Sequence, residues 1–385
     1  MEPTFSIEFD EPYYVPGNCV RGNLTIRNQS AIHALSLKIC IHGEIQTYWT
    51  QLEKKRHLKS GHPVSHCHHH TKPPENKTFK SHINILEGVS QPWSSIDNPS
   101  NRIPIGVNIF PFVFQLPFSC PPSFEGTHGR VRYTVHVELN RPWRLDVEAR
   151  RAFTVLPIID LTTIPKIRNP VMNHACKHSG FLGSKEVKIK AQLPKSGFVP
   201  GEIIPIAISI HNHTKKPLYY LKAQLIQHVH YQAQQENSHF SSDEHCHKHC
   251  DHKTAETKMS EVEKSFEVNC CSEGIIQVAL VLPNPLVPSF KTNIIEVDYC
   301  VTVEVEKDKK LRVEFPIIVG TSPVGHVMGS ANIGNRSSAL SVTQPDLNLL
   351  IEPPPEYQDR VEVTMASAPP PEYNENSNGI TSVWI

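Results

Sequence analysis

Two short segments concentrate histidine and cysteine, the side chains that zinc prefers together with carboxylates. The first is His66-Cys67-His68-His69-His70, and the second spans residues 245–252. The candidate ligands chosen from the second segment are His245, Cys246, His249, Cys250 and His252. One hypothesis is that these side chains hold a zinc ion. Since no C-x2-C pair is present, the pattern favours the alternative of polar loops with a biased composition.

The 23 histidines also raise the question of an enzyme. A catalytic nucleophile needs a neighbouring base and an orienting group. The sequence has no Gly-x-Ser-x-Gly turn, no catalytic-cysteine context and no glycine-rich phosphate loop. A metal-dependent hydrolase built on the two His/Cys segments stays open as an alternative, but we expect a protein without catalytic activity.

A different chemistry recurs near the C-terminus, where the string Pro-Pro-Pro-Glu-Tyr occurs at 353–357 and again at 369–373. Consecutive prolines favour the polyproline II helix, which enters an aromatic groove at little entropic cost. The tyrosine offers its ring and hydroxyl to a second pocket. Each string is therefore predicted to dock a WW domain. The docking residues are Pro354, Pro355 and Tyr357 in the first string and Pro370, Pro371 and Tyr373 in the second.

Two less specific patterns lie on either side of these strings. Asp346, Leu350 and Ile351 fit an acidic-dileucine sorting signal of the kind that clathrin adaptors bind, but strings of this type are common by chance, which favours a stray apolar patch. The final Val383-Trp384-Ile385 fits a ligand whose terminal carboxylate is captured by a PDZ domain. Strings this short also arise by chance.

The elements that must carry these segments are β-strands present in two copies. Residues 131–139 alternate between apolar and polar side chains, the period of a half-buried strand. Residues 297–305 repeat this pattern 166 positions later. Upstream, Tyr14-Val15-Pro16-Gly17 matches Phe198-Val199-Pro200-Gly201 at an offset of 184. The chain therefore contains a duplicated unit of about 150 residues, too long for a solenoid repeat. The side chains predicted to be buried are Tyr133, Val135, Val137 and Leu139 in one copy and Tyr299, Val301, Val303 and Val305 in the other.

Many short strands separated by turn residues are typical of antiparallel sandwiches. No amphipathic helical pattern is sustained along the chain. We therefore predict an all-β protein with two sandwich lobes, residues 1–160 and 171–321, joined by a short ordered hinge at 161–170. Residues 322–385 are rich in serine, asparagine, proline and glycine, which predicts a disordered tail.

The charge and composition of the chain argue against two classes of partner, nucleic acids and a membrane that the chain would span. Lysine and arginine total 38, as do aspartate and glutamate, so there is no electrostatic reason to expect nucleic-acid binding. The first residues lack the basic and apolar regions of a signal peptide, and no apolar run is long enough to span a membrane. We expect a cytoplasmic chain, peripheral membrane association only, and 10 reduced cysteines.

The ordered set of motifs resembles the arrestins. Residues 14–17 before a strand, 122–126 before the first alternating strand and Arg141-Pro142-Trp143 after it are similar to an arrestin N-terminal lobe. Residues 198–202 and 317–321 are similar to the C-terminal lobe. Together with the paired Pro-Pro-x-Tyr strings, they resemble the α-arrestins, also called arrestin-domain-containing proteins.

This resemblance covers about residues 5–321 and the tail strings, and it implies a cupped two-sandwich adaptor. Such an adaptor links membrane receptors or transporters to WW-domain HECT-type ubiquitin ligases, and so to ubiquitination, endocytosis and sorting at the plasma membrane and endosomes. A cargo-sorting sandwich scaffold that recruits no ligase is the alternative. The resemblance supplies neither a metal nor a cofactor.

Overall fold

The structure is a computed structural model, and its regular elements are almost entirely β-strands. It describes residues 3–52, 76–142, 147–179, 185–236 and 250–322. Within these ranges the helical elements are two single 3-10 turns, Leu161–Thr163 and Lys309–Leu311. No described helix has the length and apolar character needed to cross a membrane. The prediction of an all-β fold is confirmed. The described residues end at Ser322, so the predicted disordered tail lies outside them.

The described residues of the N-terminal lobe form ten strands. They are β1 (Thr4–Phe9), β2 (Cys19–Asn28), β3 (Ile32–His33), β4 (Ser36–Leu52), β5 (Asn76–Ser94), β6 (Arg102–Ile103), β7 (Gly106–Gln115), β8 (Phe124–Glu125), β9 (Gly129–Asn140) and β10 (Val147–Phe153). One antiparallel sheet has the order β1-β2-β7, and the other contains β10-β9-β4-β5 with β8 beside β9. Strands β3 and β6 form a separate ribbon. The two sheets enclose the apolar core of this lobe.

The C-terminal lobe repeats this plan, with ten more strands in the part of it that the structure describes. They are β11 (Val171–Ser179), β12 (Lys185–Leu193), β13 (Gly197–Phe198), β14 (Ile203–Asn212), β15 (Leu218–Gln235), β16 (Cys250–Val268), β17 (Ser272–Val281), β18 (Phe290–Lys291), β19 (Ile295–Val305) and β20 (Arg312–Val319). One sheet has the order β11-β12-β14-β17. The other has the order β15-β19-β20-β13, and β16 also pairs with β15. The prediction of two sandwich lobes is confirmed.

The alternating strands found in the sequence are β9 and β19. All eight side chains predicted to face inward are buried, including the two tyrosines. One detail differs from simple alternation, because Cys300 and Thr302 of β19 are buried on the opposite face as well. Strand β19 lies between β15 and β20, where Cys300 pairs in register with Ile226 and Pro316. Its second face is therefore partly apolar.

The duplication extends to individual hydrogen bonds. The hydroxyl of Tyr133 donates to the carbonyl oxygen of Pro121 at 2.7 Å, and that of Tyr299 donates to Val287 at 2.6 Å. Each acceptor lies 12 residues upstream of its tyrosine. Both rings are buried, so each hydroxyl needs a partner. The same tyrosine thus holds the chain before β9 in one lobe and before β19 in the other.

The Pro-Gly turns of the two copies also coincide. Gly17 and Gly201 have φ angles of +87° and +81°, a region that glycine occupies without the cost other residues incur. Their amides donate to equivalent carbonyls, those of Leu116 and Leu282. Each turn leads into a ten-residue strand, β2 in one lobe and β14 in the other.

The segment between the lobes is tied to the end of β20. The amide of Ile159 donates to the hydroxyl of Thr321 at 2.7 Å, and the amide of Thr321 donates to the carbonyl of Ile159 at 3.1 Å. Asp160 caps the following 3-10 turn by accepting from the amide of Thr162. Leu161 is fully buried. This linker is therefore an ordered part of the C-terminal lobe surface.

We expect Tyr133→Phe and Tyr299→Phe each to lower the free energy of unfolding by about 1–3 kcal/mol, because a buried carbonyl loses its donor. Urea denaturation of the purified chain measures the change. Tyr48→Phe is the control, since the Tyr48 side chain is half exposed. Losses in the buried-tyrosine variants no larger than that of Tyr48→Phe would contradict this role.

Candidate functional site

The two lobes meet where one strand of each joins a common sheet. At this junction Lys80 and Phe79 of β5 pair with Gln234 and Gln235 of β15. The amide of Glu236 adds a hydrogen bond to the carbonyl of Thr78 at 2.8 Å. An 11-stranded sheet therefore runs from one lobe into the other, and their buried apolar side chains form one cluster. The orientation of the lobes depends on this short ladder.

An aromatic cluster packs against the ladder. Trp49 stacks on Phe79 with ring centroids 5.7 Å apart. His128 lies edge-on to Trp49 and, across the junction, to Tyr231 at 5.5 Å. Burial lowers the pKa of His128, and the nearby positive charge of Lys253 lowers it further. The packed form of the junction thus favours a neutral imidazole.

Thr47 makes a polar contact inside the same junction. Its side chain is fully buried on β4, yet it carries a hydroxyl. That hydroxyl donates to the carbonyl of Gln232 on β15 at 2.8 Å. A buried hydroxyl without a partner is costly, so this hydrogen bond specifies how the lobes meet.

The outer face of the shared sheet, defined as the side away from the lobe cores, carries ionisable side chains. On β4, Cys40, His42 and Glu44 occupy alternate positions on this face. The carboxylate of Glu44 lies 3.0 Å from His82 of β5 and 3.1 Å from Arg130 of β9. Burial would raise the pKa of Glu44, but hydrogen bonds from His82 and Arg130 outweigh it and lower that pKa. Glu44 is therefore an anion at the centre of a polar group.

Three clusters among the described residues bring together side chains that could bind a metal ion. They are Cys40 with His136 and Glu138, His42 with Glu44 and His82, and Cys176 with His178 and Glu186. In each cluster the ligand atoms lie within 4.8 Å of one another. Every cluster combines alternate residues of one strand with a residue of a neighbouring strand. The i, i+2 spacing was visible in the sequence, but the neighbouring strand was not.

Only two of the zinc ligands proposed from the sequence fall in the described part of the chain. Cys250 and His252 occupy alternate, exposed positions of β16, opposite Gln234 and Gln232. Neither belongs to the three described clusters. The other candidates, His245, Cys246 and His249, lie outside the described residues. A zinc site in this segment stays a prediction.

The tail motifs also lie outside the described residues. These are the WW-docking residues Pro354, Pro355, Tyr357, Pro370, Pro371 and Tyr373, and the sorting residues Asp346, Leu350 and Ile351. Their roles stay predictions.

Comparison with known proteins identifies the lobes. The family model "Arrestin (or S-antigen), N-terminal domain" matches residues 4–162, and the corresponding C-terminal domain model matches residues 183–324. The chain therefore belongs to the arrestin family, and within it to the arrestin-domain-containing proteins, or α-arrestins. Arrestin-family proteins are generally non-enzymatic adaptors, and membership of the family makes this chain an arrestin-type adaptor or scaffold.

Three relatives illustrate the similarity. Arrestin domain-containing protein 17 of Caenorhabditis elegans is 27% identical over 332 residues, covering 83% of this chain and 70% of the relative. Human arrestin domain-containing protein 4 is 30% identical over 266 residues, covering 66% and 59%. Human arrestin domain-containing protein 1 is 26% identical over 235 residues, covering 60% and 50%. The matches thus span between half and 70% of these relatives.

We expect Thr47→Val to lower the free energy of unfolding by about 1–3 kcal/mol, because the Gln232 carbonyl loses its donor in a buried place. Thr47→Ser is the matched control, since it keeps the hydroxyl and removes only a methyl group. Urea denaturation compares the two. A valine variant more stable than the serine variant would show that the hydrogen bond does not hold the junction.

We also expect acid to weaken the junction through His128. Its folded pKa lies below the usual value of about 6.5. Its contribution to stability is therefore complete above about pH 6.5 and is lost as the pH falls through the lowered pKa. Urea midpoints measured between neutral and mildly acidic pH should fall more steeply for the wild type than for His128→Gln. Equal slopes would exclude His128 as the cause.

Proposed function

We propose that this arrestin-type adaptor recruits WW-domain HECT-type ubiquitin ligases to membrane cargo. The observation that carries the proposal is the identical string Pro-Pro-Pro-Glu-Tyr at 353–357 and 369–373, C-terminal to two arrestin lobes. The prolines supply preformed polyproline II structure, and each tyrosine supplies a second anchor. One polypeptide then carries a folded part for cargo and a docking part for the ligase.

The spacing of the strings suits a ligase with several WW domains. Tyr357 and Tyr373 are 16 positions apart, because 373 − 357 = 16. A flexible segment of that length has a root-mean-square span of about 20–24 Å. Once one string is bound, the second meets its WW domain at an effective concentration of about a millimolar. Paired docking therefore raises the overall affinity without any new contact.

The lobes supply the cargo-binding part of the proposed adaptor. The shared sheet and the ordered linker fix the orientation of one lobe relative to the other, so a receptor or transporter would bind a surface whose shape does not change. The ligase docked on the tail would then transfer ubiquitin to the cargo, which directs it into endocytosis. In this role the protein would work in the cytoplasm and be recruited to the plasma membrane and endosomes. Asp346, Leu350 and Ile351 would add contact with a clathrin adaptor.

A cargo-sorting scaffold without ligase recruitment is the second candidate. A WW-domain pulldown separates the two, because only the ligase adaptor needs the tyrosines of the tail. No catalytic cofactor is part of either role. Metal analysis and turnover assays on the purified chain test the zinc hypothesis at His245, Cys246, His249, Cys250 and His252 and the hydrolase alternative independently.

We expect Tyr357→Ala or Tyr373→Ala alone to weaken binding to a tandem pair of WW domains substantially and to leave one site working. The double variant should lose binding, because each proline run then lacks its second anchor. Calorimetric titration against a single WW domain and against a tandem pair measures these affinities. The double variant should keep its circular dichroism spectrum, since the lobes carry the core.

The matched control is Glu356→Ala together with Glu372→Ala. These residues occupy the variable position of Pro-Pro-x-Tyr, so the control should bind nearly as the wild type does. If the double tyrosine variant also binds like the wild type, ligase recruitment through these strings is wrong. Equal affinity for a single WW domain and a tandem pair would instead exclude only the paired mode.

A further inference from the structure

The outer face of the N-terminal lobe carries a cluster that the adaptor role does not use. His42 and Glu44 are two positions apart on β4, so their side chains emerge on the same face. His82 of β5 pairs in register with Gln46, which makes it the diagonal neighbour of Glu44. We propose that His42, Glu44 and His82 form a zinc-binding site on this face of the sheet.

The distances suit one ion. Oε2 of Glu44 lies 3.0 Å from Nε2 of His82 and 3.7 Å from Nε2 of His42. Zinc bonds of about 2.0–2.2 Å in a tetrahedron place neighbouring donor atoms about 3.3–3.6 Å apart. The two observed distances lie on either side of that range. Small side-chain rotations on a rigid sheet would therefore bring all three donors onto one ion.

Arg130 positions the carboxylate for this role. Its guanidinium donates to Oε1 of Glu44 at 3.1 Å, which leaves Oε2 directed toward both imidazoles. A hydrogen bond to a ligating carboxylate orients it and is a common feature of metal sites. The next arginine on this face, Arg132, forms an ion pair with Glu125.

The exposure of the cluster permits an ion to enter from solvent. The side chains of His42, Glu44 and His82 are 29%, 21% and 41% exposed. Two histidines and one glutamate form a set of three protein ligands that zinc uses when its fourth position is left to water. The site would thus hold zinc with one position open to solvent.

The other two clusters suit a metal less well. Cys40 is only 7% exposed, so its thiol gives an ion from solvent little access. The third cluster includes the thiol of Cys176, and zinc binds the thiolate, so binding there would first require loss of the thiol proton. The His42 cluster needs no thiol deprotonation.

Zinc uptake by the full chain, purified without a polyhistidine tag and stripped of metal, tests the proposal. Competition with a chromogenic chelator at neutral pH should show one zinc equivalent more for the wild type than for His42→Ala/His82→Ala. The His/Cys-rich segments at 66–70 and 245–252 are present in both, so the difference reports the proposed site. The matched control His228→Ala/His230→Ala removes two histidines from β15 and should equal the wild type.

A second variant tests whether the carboxylate of Glu44 binds the zinc ion. Glu44→Gln keeps the side-chain volume but loses the anionic ligand, so zinc affinity at the site should fall at least about tenfold. Circular dichroism checks that each variant is folded. If the double variant is unfolded, zinc uptake is compared between the wild type and His82→Ala, since His82 is the most exposed ligand and its replacement disturbs the fold least. Equal zinc content and affinity in the wild type and the histidine variants would overturn the proposal. His82 would then serve only as a hydrogen-bond partner of Glu44, with His42 as a neighbour of the same carboxylate.

Discussion

The architecture depends on a short ladder of backbone hydrogen bonds between β5 and β15. Two residue pairs, Lys80 with Gln234 and Phe79 with Gln235, join the sheets of two sandwiches that are otherwise complete in themselves. Backbone pairing gives direction and register but little apolar burial, so other contacts must stabilise the junction. Trp49 and Tyr231 add buried aromatic surface beside the ladder, and the buried hydroxyl of Thr47 adds a hydrogen bond.

Much of the fold follows from the sequence because each lobe is built from local signals. Alternation in β9 and β19, and glycine at the left-handed turns, predict strands and their buried faces. The junction could not be predicted in this way. Gln234 and Gln235 are polar residues at the end of a long strand, and nothing in their types identifies β5 as the partner. Pairing between residues about 150 positions apart is a property of the folded chain.

The same distinction applies to the candidate sites. The tail strings are linear motifs, so their chemistry is readable directly from five consecutive residues. The cluster of His42, Glu44 and His82 requires that β4 and β5 lie side by side with a register shift after Gly43. The sequence directs attention to dense histidine segments, whereas this cluster uses scattered histidines. The tail therefore carries candidate binding sites formed by consecutive residues, whereas the lobes carry one formed by residues that strand pairing brings together.

The claim that the two lobes form one body is tested most directly by native-state hydrogen exchange at the junction. The amide of Glu236 donates to the carbonyl of Thr78, so it reports the ladder itself. If the shared sheet holds the lobes together, this amide should exchange as slowly as those within β9 and β19. Exchange near the rate of an unprotected amide, while β9 and β19 stay protected, would show that the lobes move independently and would contradict the single-body arrangement.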